Sequence, residues 1–328
     1  MRWSLIIFLS LGLFSSCSND FDLTEDKKDI PVVYGLINPQ DTAHYIRIER
    51  AFIDESVSAL EIAQRPDSLY YEDITASIVD LETSDRYTLT RVDGNAEGYI
   101  RDQGVFAQAP NYLYKLHSNE FLPVNNRSYR FELDRGDNKA LVTAETVIVD
   151  NPTLVAPPPT DASFNFNYNL DNPIEPYMFS WKLTDGVIFD LTLRLKYIES
   201  INGGPFENKV IEWKIAKSIE DLFYELDKVS FYTTLAANIE EDASAQRLFQ
   251  NIDVVLESGG QAILDYINIG SANLGITSSQ EIPTFTNLSE GVGIFSSRNR
   301  LINTDVPITP LTQDSLKNGS ITRQLNFQ

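Results

Sequence analysis

The chain has 328 residues, with 26 lysines and arginines against 47 aspartates and glutamates, for a net charge of −21 at neutral pH. Scattered basic residues on so acidic a body argue against nucleic acid as a partner and against a polybasic attachment to anionic lipid. A single cysteine excludes an internal disulfide framework, and a length above 300 residues is enough to bury more than one hydrophobic core without one.

The first element is a leader. Arg2 supplies a positive charge, Trp3 to Phe14 form an apolar run too short to span a bilayer, and Phe14-Ser15-Ser16 lead into Cys17, the only thiol. This reads as a bacterial lipoprotein signal: residues 1–16 are removed and Cys17 is lipidated, several acyl chains giving an anchor that one chain would not. An ordinary secretory signal with an unpaired thiol left behind is the alternative. Residues 17–29 form an acidic tether without apolar periodicity. Within it Ser18, Asn19, Asp20 and Asp22 resemble the export signal that follows the lipidated cysteine in Bacteroidota lipoproteins displayed on the outer face of the outer membrane. No later segment is long and apolar enough for a transmembrane helix, so a tethered soluble body is expected.

Residues 30–150 are expected to form one β-sandwich, immunoglobulin-like or transthyretin-like. Pro31–Ile37 and Ala43–Arg50 are strand-like runs around the turn Asn38-Pro39-Gln40-Asp41, with Ile46 and Ile48 on one face and Arg47 and Glu49 on the other. Further strands are predicted at Ile74–Leu81, Tyr87–Val92, Tyr112–Leu116, Tyr129–Leu133 and Leu141–Val149, a spacing typical of antiparallel sandwiches. A helical turn is expected near Ala59–Ala63.

Residues 151–160, with Pro152 and Pro157-Pro158-Pro159, are expected as a stiff linker, because consecutive prolines favour extended chain and cannot donate to a sheet ladder. Residues 161–300 are expected as a second β-rich domain with a few short helices. Its strongest strand, Val187–Tyr197, puts Val187, Phe189, Leu191, Leu193, Leu195 and Tyr197 on one face, and Asn202-Gly203-Gly204 turns it into a partner carrying Ile211, Trp213 and Ile215. Ser218-Ile219-Glu220-Asp221 resembles a capping box opening a helix through Leu222, Phe223 and Leu226. Helices are also predicted at Phe231–Phe249 and Gln261–Ile267, with strands at Ile252–Glu257 and Gly291–Phe295. Residues 301–328 read as a polar C-terminal tail.

Catalytic chemistry finds little support. His44 and His117, the only histidines, read as edge or surface residues, which leaves no imidazole pair for zinc; no Gly-x-Ser-x-Gly elbow occurs, and the thiol is committed to lipid. No catalytic residue, metal ligand or cofactor is therefore expected. Asp134 to Asp137 form an acidic loop without a calcium-binding pattern. Asp41-Thr42-Ala43, Asp67-Ser68-Leu69 and Asp314-Ser315-Leu316 match the tripeptide signal for O-glycosylation in exported Bacteroidota proteins, which makes Thr42, Ser68 and Ser315 candidate sites; ordinary Asp-Ser/Thr turns are the alternative.

The leader, the acidic residues after Cys17, the Pro31-Val32-Val33-Tyr34-Gly35-Leu36-Ile37 strand, the Ser128–Leu133 strand, the proline boundary and Gly291-Val292-Gly293-Ile294-Phe295 together resemble one family. It comprises Bacteroidota outer-membrane lipoproteins of unknown function often encoded beside TonB-dependent receptors. The resemblance implies a surface-exposed, non-enzymatic accessory that binds an outer-membrane β-barrel complex in uptake, export or assembly. Two other functions compete with it. Capture of glycan or peptide for a receptor requires an exposed aromatic platform, for which Tyr70, Tyr71, Phe164, Phe166 and Tyr168 are candidates. Hydrolysis of surface polymers requires two carboxylates facing one another across a cleft.

Overall fold

The computed structural model describes residues 30–51, 58–136, 138–160, 162–167, 175–272 and 284–328. The chain is mainly β, built as two β-rich units with a few short helices. In the first unit, β1 (Ile30–Ile37) and β2 (Ala43–Ala51) form a hairpin closed where the Asp41 N–H meets the Asn38 carbonyl at 3.0 Å. Two short helices, α1 (Ala59–Ala63) and α2 (Pro66–Leu69), precede β3 (Thr75–Asp80), β4 (Arg86–Thr88), β5 (Thr90–Asp93), β6 (Tyr112–His117), β7 (Ser128–Asp134) and β8 (Val142–Val147). The four-stranded sheet β4-β3-β7-β8 packs on the sheet carrying β1, β2, β6 and β5. Their shared core includes Val33, Ile37, Ile46 and Ile48 on one side and Ile78, Phe131, Leu133 and Ala144 on the other. The run expected as one strand, Tyr87–Val92, is cut at buried Leu89: its first part pairs with β3 and its second with β6, so the chain changes sheet there.

The second unit contains β9 (Thr153–Ala156), β10 (Tyr177–Lys182), β11 (Ile188–Ile201), β12 (Glu207–Ile219), β13 (Phe223–Leu226), α3 (Val229–Asn238), β14 (Ala245–Gly259), α4 (Gln261–Ala272), β15 (Val292–Val306) and α5 (Pro310–Asn318). The long hairpin β11–β12 turns at Asn202 and Gly203, both with positive φ, as an Asn-Gly turn favours. The sheet β13-β10-β9 and α3 cover the long strands, with Phe179, Trp181, Phe231 and Tyr232 packed on Leu191, Leu193, Leu195 and Leu256.

Several expectations are corrected. Ser218 to Leu226 is not a helix: Ser218 lies in β12 with a φ of 55°, its N–H donates to Asp190 Oδ1 at 2.7 Å, and Phe223–Leu226 pairs with β10 as β13. Strand pairing with buried Phe179 outweighs the local capping pattern. The helix expected over Phe231–Phe249 ends at Asn238, and Ala245 onward is strand. The segment 151–160 is more than a linker, since β9 pairs with β10 inside the second unit. Residues 301–328 are not a free tail. They complete β15 and then bury Leu316, Leu325 and Phe327 in the second core. The tail is fastened by Arg247, buried in β14, which donates to Glu199 Oε2 at 2.6 Å, the Leu325 carbonyl at 2.7 Å and the Glu240 carbonyl at 3.0 Å.

One strand joins the two units. The first half of β15 runs parallel to β1, from Val32 beside Val292 to Ile37 beside Ser297; its second half is antiparallel to β14, from Arg298 beside Gly259 to Val306 beside Ile252. The result is a continuous eight-stranded sheet, ordered β12-β11-β14-β15-β1-β2-β6-β5. At the joint the Ser297 hydroxyl donates to the Val147 carbonyl at 2.6 Å and accepts from the Val149 N–H at 3.0 Å, while Asn299 Nδ2 donates to the Val149 carbonyl at 2.9 Å. The backbone at Gly293 has a φ of +127°, and a Cβ there would sit 1.9 Å from the Val33 carbonyl oxygen. Gly293→Ala is expected to lower stability by at least ~2 kcal/mol in chemical denaturation, since both the dihedral and the close approach are lost.

His44, expected at an edge or surface, is only 2% exposed, packs edge-on against Phe121 at 5.3 Å, and finds no hydrogen-bond partner for either ring nitrogen among the described residues. Burial pushes its imidazole below the ordinary value, with Asp41 opposing weakly. The unfolded chain therefore takes up a proton near pH ~6.5 that the folded chain refuses. Stability is full above that pH and falls as the pH drops below it. His44→Leu should flatten the decline between pH 7.5 and 5.5 in denaturant titrations; an unchanged slope would refute the assignment.

Candidate functional site

Cys17, Ser18, Asn19, Asp20 and Asp22 lie outside the described residues, as does Tyr168. The three candidate glycosylation hydroxyls fall on separate elements: Thr42 is exposed just before β2, Ser68 is half-buried in α2, and Ser315 is half-buried on α5, its Oγ 3.3 Å from Asn167 Oδ1. The expected aromatic platform is not one. Tyr70, Tyr71, Phe164 and Phe166 are all buried, and the two phenylalanines stack on each other at 5.2 Å in the second core.

A different set of aromatics is exposed together. Strand alternation turns Val33 and Ile37 of β1 into the first core and leaves Tyr34 and Leu36 on the opposite face. By the same parity Tyr45 and Arg47 on β2, Leu113 on β6 and Ile294 on β15 share that outer face; register places Tyr34 between Arg47 and Ile294. Two walls rise from this floor. On one side α4 presents Ile263 and Tyr266, three residues apart and so on one helical face, with the Tyr266 ring edge-on to Tyr34 at 6.4 Å. On the other side the β5–β6 connection brings Tyr99 onto Tyr45, with ring centroids 4.7 Å apart. Between the walls lies a cleft of about 500 Å³, with Asp41 and Arg298 at its β1–β2 turn end.

The Tyr99 wall is braced by a partly buried ion network. Glu49 Oε1 accepts from Arg47 Nη1 at 3.0 Å and also from Arg101 Nη2. Fully buried Asn111 accepts from Arg47 Nη1 at 2.9 Å and donates to the Tyr99 carbonyl at 2.7 Å, so the cation on β2 and the loop backbone are held by one side chain. The Tyr99 N–H closes back on the Gly94 carbonyl at 2.8 Å. Next to it the Tyr45 hydroxyl donates to Glu97 Oε2 at 2.8 Å, and Lys115 pairs with the same carboxylate. The Lys115 hydrogen bond, then that of Tyr45, holds the Glu97 carboxyl below its ordinary range. Burial, then the hydrogen bond with Tyr266, pushes the Tyr34 hydroxyl above its ordinary value, and burial, then the hydrogen bond to Glu97, does the same for Tyr45.

Among the described residues no group of three or more His, Cys, Asp or Glu is placed to hold a metal ion, and no helix is long and apolar enough to cross a membrane. Comparison with family models and with characterised proteins finds no match.

The ion network makes the wall testable. Glu49→Gln removes the charge that two arginines share, and the loop from Asn95 to Pro110 is expected to open more often. Limited proteolysis should cut this loop several-fold faster than in the parent protein, with cleavage elsewhere unchanged.

Proposed function

We propose that the chain is a lipid-tethered binding protein that captures an extracellular ligand in the tyrosine cleft, as a non-enzymatic accessory to an outer-membrane β-barrel complex. The observation that carries this reading is the cleft: a concave site of about 500 Å³ whose floor and walls bring tyrosines from the β1–β2 hairpin, the β5–β6 connection and α4 together with two arginines. That volume is in the range of small-ligand sites, and its few polar groups set among apolar and aromatic surface are what such sites use for orientation. The braced Tyr99 loop supports it further, because a wall held before the ligand arrives costs less ordering on binding. The lipobox at Cys17 supplies the tether, and the acidic residues behind it the outward address.

A protein partner without a small ligand is the second reading. It is favoured by the β5–β6 connection, in which Ile100 is 78% exposed and Val105 and Phe106 are exposed as well, with Leu60 of α1 also exposed. Apolar side chains clustered on a surface loop are a feature of contact surfaces.

The reading is tested by hydrogen exchange on the tethered protein incubated with size-fractionated digests of extracellular glycan and peptide. A binding fraction should protect residues 34–47, 95–101 and 261–267, and Tyr34→Ala with Tyr99→Ala should abolish the protection. Absence of protection by every fraction, or binding that survives the double substitution, would overturn capture at the cleft. Persistence of barrel co-purification in that double variant, with its loss in Ile100→Asp with Phe106→Asp, would establish the second reading instead. In the same cells a clickable fatty acid should label the parent protein and not Cys17→Ala.

A further inference from the structure

The chemistry lining the cleft narrows the ligand, given the reading of the cleft as a capture site. Its floor is the face of β15, β1, β2 and β6, all interior strands of the eight-stranded sheet. Their backbone donors and acceptors are already committed to neighbouring strands, so an extended peptide has no open edge on which to add itself as a strand. Recognition at such a floor has to come from flat faces and side-chain polar groups. Four spaced strands make the floor roughly 14 Å across, and the cavity of about 500 Å³ has room for a small ligand.

Tyrosine is suited to sugar. The axial C–H faces of a pyranose ring pack on an aromatic ring, and the phenol hydroxyl at the ring's edge meets the sugar's equatorial hydroxyls. Tyr34 and Tyr99 are exposed, and Tyr45 lies beneath Tyr99 with its own hydroxyl directed to Glu97. The cleft's charges add a second requirement. Arg47 is satisfied by Glu49 and Asn111, and Lys115 by Glu97, whereas Arg298 is 47% exposed on its side chain and reaches Asp41 only at 3.7 Å, beyond hydrogen-bond length. Its planar fork of donors is thus open to a carboxylate arriving along the floor, a geometry in which guanidinium binds in a bidentate, charge-assisted manner.

We propose that the cleft binds an acidic oligosaccharide, its sugar faces on Tyr34, Tyr45 and Tyr99 and a uronate carboxylate on Arg298. Sulfated or phosphorylated sugars, whose tetrahedral anion a guanidinium fork also accepts, are the competing ligand class.

The test is calorimetry with the full tethered protein in mild detergent, using trimers of galacturonate, glucuronate and mannuronate, the methyl ester of each, and a triaspartate peptide. At least one uronate trimer should bind about tenfold or more tighter than its uncharged ester. Arg298→Gln should erase that difference while leaving the ester's affinity in place, and Tyr34→Ala or Tyr99→Ala should weaken trimer and ester alike. Equal binding of trimer and ester, an undiminished preference in Arg298→Gln, or no binding of any uronate would overturn the acidic-sugar assignment. If hydrogen exchange shows another ligand protecting the cleft in those cases, capture at the cleft stands and only the ligand class fails; if nothing protects it, both fail.

Discussion

The structure depends on the approach of β15 to β1. Parallel pairing brings Val292 and Gly293 beside Val32 and Val33, and the backbone at Gly293 comes so close to the Val33 carbonyl that any side chain would collide with it. Gly291, with a φ of +96°, makes the same close approach to the Pro31 carbonyl. The two glycines therefore make the contact between units a backbone contact, which cannot slide as side-chain packing can. Once β15 is seated there, its continuation pairs with β14, and the second unit is fixed to the first through ladder hydrogen bonds rather than through a hinge. Ser297 and Asn299 complete the lock by hydrogen-bonding the backbone of Val147 and Val149.

The cleft is a consequence of that seam. It exists because α4 is inserted between β14 and β15 and is carried over the outer face of the joined sheet, where Tyr266 meets Tyr34. Either unit alone would present half of the site: the first supplies Tyr34, Tyr45, Arg47 and Tyr99, the second Ile263, Tyr266, Ile294 and Arg298. A disturbance of the Gly293 contact thus acts on the site and on stability together, whereas the Glu49 network acts on one wall without touching the seam.

Much of the fold was legible because strand alternation is a local signal. Ile46 and Ile48 point inward, the β11 face from Phe189 to Tyr197 is buried residue by residue, and the Asn202-Gly203 turn is where its residues require. Legibility ended where tertiary pairing decided. The pattern from Ser218 to Leu226 has a helix's residues and a strand's environment, and β9, β13 and the C-terminal segment are held by neighbours far away in the chain. Half of the cleft was also within reach, since the parity that sends Ile46 and Ile48 inward sends Tyr45 and Arg47 outward. Its convergence was not, because Tyr99 and Tyr266 lie in a loop and in a helix whose positions no local periodicity encodes. Aromatic alternation at Phe164 and Phe166 was by contrast a core signal, stacked under Tyr177 and Phe231.

The net charge of −21 bears on an anionic ligand through distance. At physiological ionic strength the screening length is about 8 Å, so carboxylates on remote faces act on the rate of encounter more than on the bound state. In the cleft and its bracing network the balance is different: Arg47, Arg101, Lys115 and Arg298 stand against Asp41, Glu49 and Glu97. Glu97 pairs with Lys115 and Glu49 is shared by Arg47 and Arg101, which is where the one surplus cation lies; Arg298 faces Asp41 at 3.7 Å, too far for a hydrogen bond, so its donors stay open where the outer floor meets the β1–β2 turn. An acidic body whose aromatic trough ends in a guanidinium with open donors repels polyanions in general. Under the proposed capture it would retain those whose apolar faces can lie on tyrosine while a carboxylate reaches that end. Selectivity of this kind needs both elements at once, and the seam formed by β15 is what sets Arg298 and the tyrosines of the first unit on one surface.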